Sequence, residues 1–551
     1  MTRRRGNWIT VRRVLVALAV AAIALVVVAP PSGAHAALVS SDPISGADLE
    51  SAPERIVLVF NEGVDAELGG VLVFDERSDP VDVGSTGRLD GDPKTVVTEL
   101  PPLDPGAYVV AWRVVSNDGH PIRGAFTFRI GGIGDLDAVG DLAGEVSVAA
   151  PRSTSIAFGV ARGALFAGVA LVIGALAFPL LVDRTGVRSQ TVMLVGAIGV
   201  VVALIATMST VVLQGAYVSA RGLGDAWSWS TTMNVLGTRY GEMALWRVAV
   251  LVVAEVLFGL SRRCTTQWWR WAATVIALAT AATIALAGHA VSGEHVPFAV
   301  GADWVHVTAM GVWLGGLVVL LASLRDPDAL GLVQRFSRVA LWAVIAVVVS
   351  GAFATWRQVG SLDALFHTDY GRTLLWKLAI VAALLLVAWG ARRVIGAASP
   401  PAGADGAVRV RVRRLIVVEI VLAVLVLAAT SILVETPPAR DEVVRPMTTT
   451  FDAGTFTIDL TVDPARRGTN VVHVYTFDTT GGIADPRRVS GEIELADPAI
   501  GPLDVALTRV GAGHWQSDAA DFPLAGEWTL TISVDVDDFT REQGAVSVRI
   551  R

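Results

Sequence analysis

The chain has 551 residues, 53% of them apolar, with 51 Asp and Glu against 44 Lys and Arg and a single cysteine. A mean hydropathy of +0.57 is too high for a soluble globular protein, and a net charge of −7 gives no basis for nucleic-acid binding. The lone Cys264 excludes an intramolecular disulfide framework and a cysteine-based metal relay.

Charge is unevenly placed. Asp and Glu crowd residues 35–150 and 440–551, while the middle is apolar with short Arg clusters. That layout predicts a membrane core flanked by two polar domains, in contact with the lipid bilayer.

At the start, Arg3, Arg4, Arg5, Arg12 and Arg13 form a basic stretch and residues 14–29 an apolar one, followed by the small residues Ser32, Gly33 and Ala34. The pattern predicts a secretory signal peptide over 1–34, cut after Ala34. A cut after Ala36 and an uncleaved anchor are the alternatives. Cleavage after Ala34 would leave His35 at the new N-terminus. Its free α-amine and imidazole form a chelate suited to Cu(II), which favours nitrogen ligands in tetragonal geometry.

Residues 35–132 read as β. RIVLVF (55–60), GVLVF (70–74), AYVVAWRVV (107–115) and AFTFRI (125–130) are short, rich in β-branched and aromatic residues, and separated by Gly, Pro and Asp. The expectation is an antiparallel sandwich. Near its end, SNDGHPIRG places Asp118 and His120 two apart, hence on one face of an extended backbone. With His35 they make an oxygen–nitrogen set for Cu(II).

After a linker over 133–154, residues 155–436 contain eight runs long enough to cross a bilayer, near 157–182, 192–214, 243–261, 270–289, 303–324, 338–357, 373–391 and 413–434. Arg-rich loops alternate with Arg-poor ones, so the Arg-rich loops are expected on the cytoplasmic side. Eight crossings then put both polar domains outside the cytoplasmic membrane. Arg162, Glu255, Lys377 and Glu419 are charges within the spans; an interhelical salt bridge is expected at Glu255 and Glu419, with an ion relay as the alternative. Gly311, Gly315 and Gly316 form a small-residue packing face.

His289 is expected at the outer end of the fourth helix and His295 in the following loop. Asp303, His306 and Met310 fall at helical spacing near the start of the fifth, so they share one face. Ionisable residues inside a membrane are costly and mark functional sites by default. The five residues are a candidate membrane copper site. The alternative is that His289 and His306 only hydrogen-bond between helices.

A linker over 437–447 leads to residues 448–551, where FTIDLTVD, NVVHVYTFD, VSGEIELAD, LDVALTRVG and WTLTISVDV alternate apolar and polar residues. A second external β-sandwich is expected, with a weak resemblance to YtkA-type domains through HWQSDAADFPLAGEWTLTISV. His473 and His514 read as isolated, structural residues.

Residues 35–130 resemble the CopC family of periplasmic copper-binding proteins, through HAALVSSDPISGADLESAPERIVLVFNEGV and YVVAWRVVSNDGHPIRGAFTFRI. The resemblance implies Cu(II) ligands at the α-amine and imidazole of His35, at Asp118 and at His120. The family's Phe-x-Glu segment falls on Phe60-Asn61-Glu62, making Glu62 a ligand or a ligand's partner. Residues 35–150 contain no methionine, so the Met-rich Cu(I) site of some members is not expected. Most of residues 155–438 resemble the CopD family, through AGHAVSGEHVPFAVGADWVHVTAMGVWLGGL, RFSRVAL, SGAFATW, YGRTLLWKL and LVETPPAR.

The expected whole is a multi-domain membrane protein: an N-terminal all-β sandwich, an eight-helix bundle and a C-terminal all-β sandwich. It would capture Cu(II) outside and pass copper inward, for import, homeostasis and resistance, the direction being implied by the resemblance. No P-type ATPase aspartate motif and no P-loop is present, and no enzymatic activity is expected. Passage as Cu(I) would need an external copper-reducing or copper-accepting protein. Two other readings are open: a copper monooxygenase of the histidine-brace type and a haem membrane reductase.

Overall fold

The computed structural model describes residues 38–43, 47–60, 62–116, 119, 121–132, 150–183, 189–261, 267–291, 295–325, 328–360, 362–397, 405–436, 438–439, 447–463, 465–478, 482–496, 498–511, 513–537 and 540–550. The expected signal peptide, His35, Asn61, Asp118 and His120 lie outside the described residues.

The first polar domain is a sandwich with nine strands among the described residues: β1 (Leu38–Asp42), β2 (Ala47–Leu49), β3 (Arg55–Phe60), β4 (Val64–Asp75), β5 (Pro80–Val81), β6 (Thr86–Arg88), β7 (Thr95–Glu99), β8 (Gly106–Ser116) and β9 (Pro121–Ile130). One sheet has the order β1-β3-β7-β6 and the other β2-β9-β8-β4-β5. In β3 every second side chain, Ile56, Leu58 and Phe60, is buried, the period of a half-covered strand. β8 lacks that alternation because it is buried on both faces. Tyr108, Val110, Trp112 and Val114 fill the space between the sheets, Ala107 and Val109 pack with Phe74 and Ala125, and Val115 meets the helices. Phe60 and Trp112 meet edge to face with centroids 5.3 Å apart.

Eleven helices follow among the described residues: α1 (Arg152–Leu181), α2 (Gln190–Val218), α3 (Trp229–Gly237), α4 (Arg239–Ser261), α5 (Gln267–Ala285), α6 (Val296–Met310), α7 (Gly316–Ala322), α8 (Ala329–Val359), α9 (Leu362–His367), α10 (Asp369–Ala397) and α11 (Asp405–Glu435). A π-type segment, Gly311–Gly315, joins α6 to α7, so the two form one rod. Seven stretches among the described residues are long and apolar enough to cross a membrane: α1, α2, α4, the α6–α7 rod, α8, α10 and α11. The eighth expected span, α5, has 19 residues and a less apolar start, QWWRW. It ends at Ala285, so His289 falls beyond it in the one-turn helix His289–Val291.

The fifth span also differs from expectation. It begins at Val296 rather than 303, because Pro297 in the first turn is pre-set for helix and His295 caps it in the left-handed conformation, φ 56°. Asp303 and His306 therefore lie 7 and 10 residues inside the helix, about 10 and 15 Å from its start at 1.5 Å per residue.

Hydrogen bonds gather alternate helix termini at one end of the bundle. Thr154 Oγ1 donates to Arg221 O (3.0 Å), Ser431 Oγ to Gly159 O (2.6 Å) and Arg239 Nε to Leu286 O (3.3 Å). The starts of α1 and α4 thus share an end with the finishes of α2, α5 and α11. The chain enters the bundle and leaves it at that end, so both β domains attach there. At the other end Arg335 Nε, near the start of α8, donates to Val182 O just past α1 (2.9 Å).

One ion pair formed across the bundle is not the expected one. Arg162 on α1 approaches Glu435 at the end of α11 (3.8 Å) and lies over the Phe158 ring. Glu255 is exposed on the side of α4, and Glu419, only 5% exposed, has no ion pair among the described residues. Helical periodicity names the spans a charge sits in, but not which neighbour faces it.

The C-terminal domain is a second sandwich: β10 (Met447–Ala453), β11 (Phe456–Asp463), β12 (Gly468–Phe477), β13 (Arg488–Leu495), β14 (Ile500–Val505), β15 (Thr508–Gly511), β16 (His514–Phe522), β17 (Gly526–Asp535) and β18 (Arg541–Ile550). The sheets run β10-β11-β12-β16-β15 and β14-β13-β17-β18. Ile458, Leu460, Val472, Val474, Phe522, Trp528, Leu530 and Ile532 form its core. LDVALTRVG, expected as one strand, breaks at Ala506–Leu507, where the chain crosses from one sheet to the other.

Candidate metal sites

Asp118 and His120 belong to the connection between β8 and β9, and the residue between them, Gly119, is described. It takes φ +85°, a conformation that glycine adopts without strain. Its carbonyl accepts a 2.8 Å hydrogen bond from Gln214 Nε2 on α2. Gln214 is 2% exposed, so this bond satisfies an amide held away from water. A Cβ on residue 119 would stand 3.5 Å from the ring of Tyr240 on α4. One step back along β8, Val115 is buried with Val211, Val218, Val235 and Ala244. Gly119, which lies in sequence between two of the expected Cu(II) ligands, is therefore seated on the helical bundle. Val64 pairs with Ser116, so Glu62 precedes β4 at the edge from which this connection departs, half-buried with its Oε1 shielded from water.

In the bundle, His306 Nδ1 lies 3.0 Å from Ser350 Oγ on α8. The serine's one proton is given to Ala346 O at 2.6 Å. That geometry favours Nδ1–H donating to Ser350, which leaves a lone pair on Nε2 of the neutral ring. A second-atom hydrogen bond that fixes the tautomer is how ligating histidines are held. Lys377 on α10 interacts electrostatically with both Asp303 and His306. Met310, one turn beyond His306, packs partly buried against the central apolar cluster. Asp303, His306 and Met310 share a face, as their spacing requires.

Of the remaining two expected ligands, His295 stands apart from this stripe. His295 is exposed at the helix cap, 11 residues and about 16 Å of helix from His306. His289 stands in its own short turn before α6. Among the described residues no three His, Cys, Asp or Glu are placed to hold a metal ion together. Sequence spacing places Lys377 within a span but does not link it to the stripe, whose Asp303 and His306 its charge reaches from α10.

His473 and His514, read from sequence as isolated, are in contact. His473 Nδ1 lies 3.2 Å from His514 Nε2, and Tyr475 stacks on His514 with centroids 4.2 Å apart. Burial lowers the His514 imidazole to about 4, with neighbouring His473 acting in the same direction, so that ring is neutral at pH 7.

Comparison with known proteins matches the CopC domain over residues 38–131, the copper resistance protein D-like N-terminal domain over 153–297 and copper resistance protein D over 330–433. The chain is 26% identical over 549 residues to copper transport protein CutJ of Bacillus subtilis (strain 168), covering 94% of this chain and 96% of that one. It is 34% identical over 122 residues to protein YobA of Escherichia coli (strain K12), covering 22% of this chain and 97% of that one. Over 103 residues it is 41% identical to copper resistance protein C of Pseudomonas syringae pv. tomato, covering 18% of this chain and 81% of that one. With a CopC domain joined in one polypeptide to a multi-pass CopD-type bundle, the chain belongs to the CopC–CopD family of copper transport and resistance proteins.

Proposed function

We propose that the protein captures Cu(II) outside the cytoplasmic membrane and passes copper inward through the helical bundle. The observation that carries this reading is the hydrogen bond from Gln214 to Gly119, which ties the connection bearing Asp118 and His120 to the helices. Cleavage after Ala34 exposes the α-amine of His35, and that amine, the His35 and His120 imidazoles and Asp118 suit the tetragonal preference of Cu(II). Glu62 supports the site from the neighbouring strand edge.

Inside the bundle, Asp303, His306 and Met310 receive the ion. The mixture of imidazole and thioether suits Cu(I), so an external reductant acts between capture and passage. The ammonium of Lys377 answers the Asp303 carboxylate until a metal cation displaces it. The relative named as a copper transport protein is similar over 94% of this chain, which agrees with this reading. The alternation of Arg-rich loops supports an outside position for the end bearing both sandwiches.

Gln214→Leu tests it. The substitution keeps a buried side chain of similar size and removes the donor to Gly119. Cells carrying it should gain copper about tenfold more slowly than wild type, while Cu(II) binding by the purified protein is unchanged. His120→Ala should do the reverse, weakening Cu(II) binding on the order of 10–100-fold or more. Wild-type copper gain by Gln214→Leu cells would overturn the coupling of capture to passage.

A further inference from the structure

The C-terminal sandwich holds a pair of imidazoles that the capture site and the membrane stripe do not use. Strand pairing produces it. Thr461, His473 and Gln516 lie opposite one another across β11, β12 and β16, and Asp459, Tyr475 and His514 form the next row two residues along. Paired residues share a face of the sheet, and His473 and His514 are diagonal neighbours within reach of each other. The inward residues Val472 and Val474 belong to the core, so this grid is the outer face of the sheet. His473 is half-buried and His514 is 5% exposed.

We infer that His473 and His514 form a second metal site, a two-imidazole seat for one copper ion on the external C-terminal domain. The distance decides it. Two nitrogens bound at about 2.0–2.1 Å and subtending 90–109° at a metal stand about 2.8–3.4 Å apart, and the observed Nδ1···Nε2 separation is 3.2 Å. No large movement of either strand is needed to admit an ion. The rings are also held: Tyr475 stacks on His514 at 15° and His473 lies at 28° to His514. Imidazole serves copper, zinc and nickel alike, and the choice of copper rests on the copper-handling function proposed above. No third His, Cys, Asp or Glu completes a cluster among the described residues. The remaining positions on the ion are left to water or to a group on a delivering or accepting molecule, the arrangement of a transfer site rather than a permanent one.

The test is copper stoichiometry of the full-length purified protein loaded with Cu(II) alone. His473→Phe and His514→Phe keep a ring for the stack on Tyr475 and remove the nitrogens. Each should bind one equivalent fewer than wild type, and each should lower His120→Ala by the same amount. In the wild type, added Cu(II) should protect His473 from acylation by diethyl pyrocarbonate, a reading that stands even where a variant fails to fold. Unchanged stoichiometry in folded His473→Phe and His514→Phe, or acylation of His473 at the same rate with and without Cu(II), overturns the site. If His120→Ala loses copper while these variants do not, the pair fails and the capture reading stands. A wild-type chain that retains no copper removes both.

Discussion

Cells carrying His306→Ala are expected to accumulate copper on the order of 10–100-fold more slowly than wild type, with Cu(II) binding by the external domain intact. The reason is the fixed tautomer. Ser350 gives its proton to Ala346 O and accepts from His306 Nδ1, so the imidazole presents Nε2 to whatever enters beside Asp303 and Met310. Alanine removes that nitrogen. His306→Gln separates the two roles of the ring. Its amide can still donate to Ser350, so a residue that only joins α6 to α8 would be replaced without loss, whereas a copper ligand would not. Near-zero copper gain in both variants supports ligation. Normal gain in His306→Gln with loss in His306→Ala assigns His306 to helix packing, and equal accumulation in all three chains removes it from the route.

Gly315→Val is expected to prevent the bundle from assembling, read as loss of folded protein after detergent extraction. A Cβ at residue 315 would stand 1.9 Å from Ala170 O and 3.0 Å from Gly174 Cα, both on α1. These are backbone atoms, so no side chain can turn aside; the helices themselves must separate. Overpacking a well-filled core already costs about 1–3 kcal/mol, and a contact between backbones lies at or beyond the upper end of that range. α1 is the centre of the bundle, with 67% of its most apolar window buried, so displacing it disturbs every helix packed around it. The close approach of small residues is how helices associate in lipid, where apolar surface has no water to escape. Gly301, on the same rod, is the control: nothing lies within 4 Å of its Cβ position, and Gly301→Ala should extract as wild type. A Gly315→Val protein that extracts and elutes like wild type would refute the packing argument.

Local order carried much of this architecture in readable form. Alternation in RIVLVF and FTIDLTVD marks strands with one covered face, and those two segments form at the residues expected. Apolar length marks the spans, since each crossing must satisfy its own backbone inside lipid. The Gly311, Gly315 and Gly316 spacing is visible in the sequence; in the fold Gly311 and Gly315 face α1, whereas Gly316 faces Phe336 on α8. Boundaries were harder. Nothing in composition distinguishes residue 303 from 296 as the start of α6, which the Pro297 turn and the left-handed His295 decide.

What depends on pairing between distant segments was decided only by the tertiary structure. His473 and His514 are 41 residues apart, and only the antiparallel register of β12 with β16 makes them neighbours. The charge of Lys377 reaches Asp303 across more than seventy residues of chain, and Arg162 finds Glu435 rather than Glu255 or Glu419, because the fold brings those segments together. Gln214 carries no motif and becomes informative through the single carbonyl it holds. Periodicity records which face of an element turns away from its solvent, and it is set by neighbours three or four residues away. Which element covers that face is set by the packing of the whole chain, and a side chain's partner is known only once that packing exists.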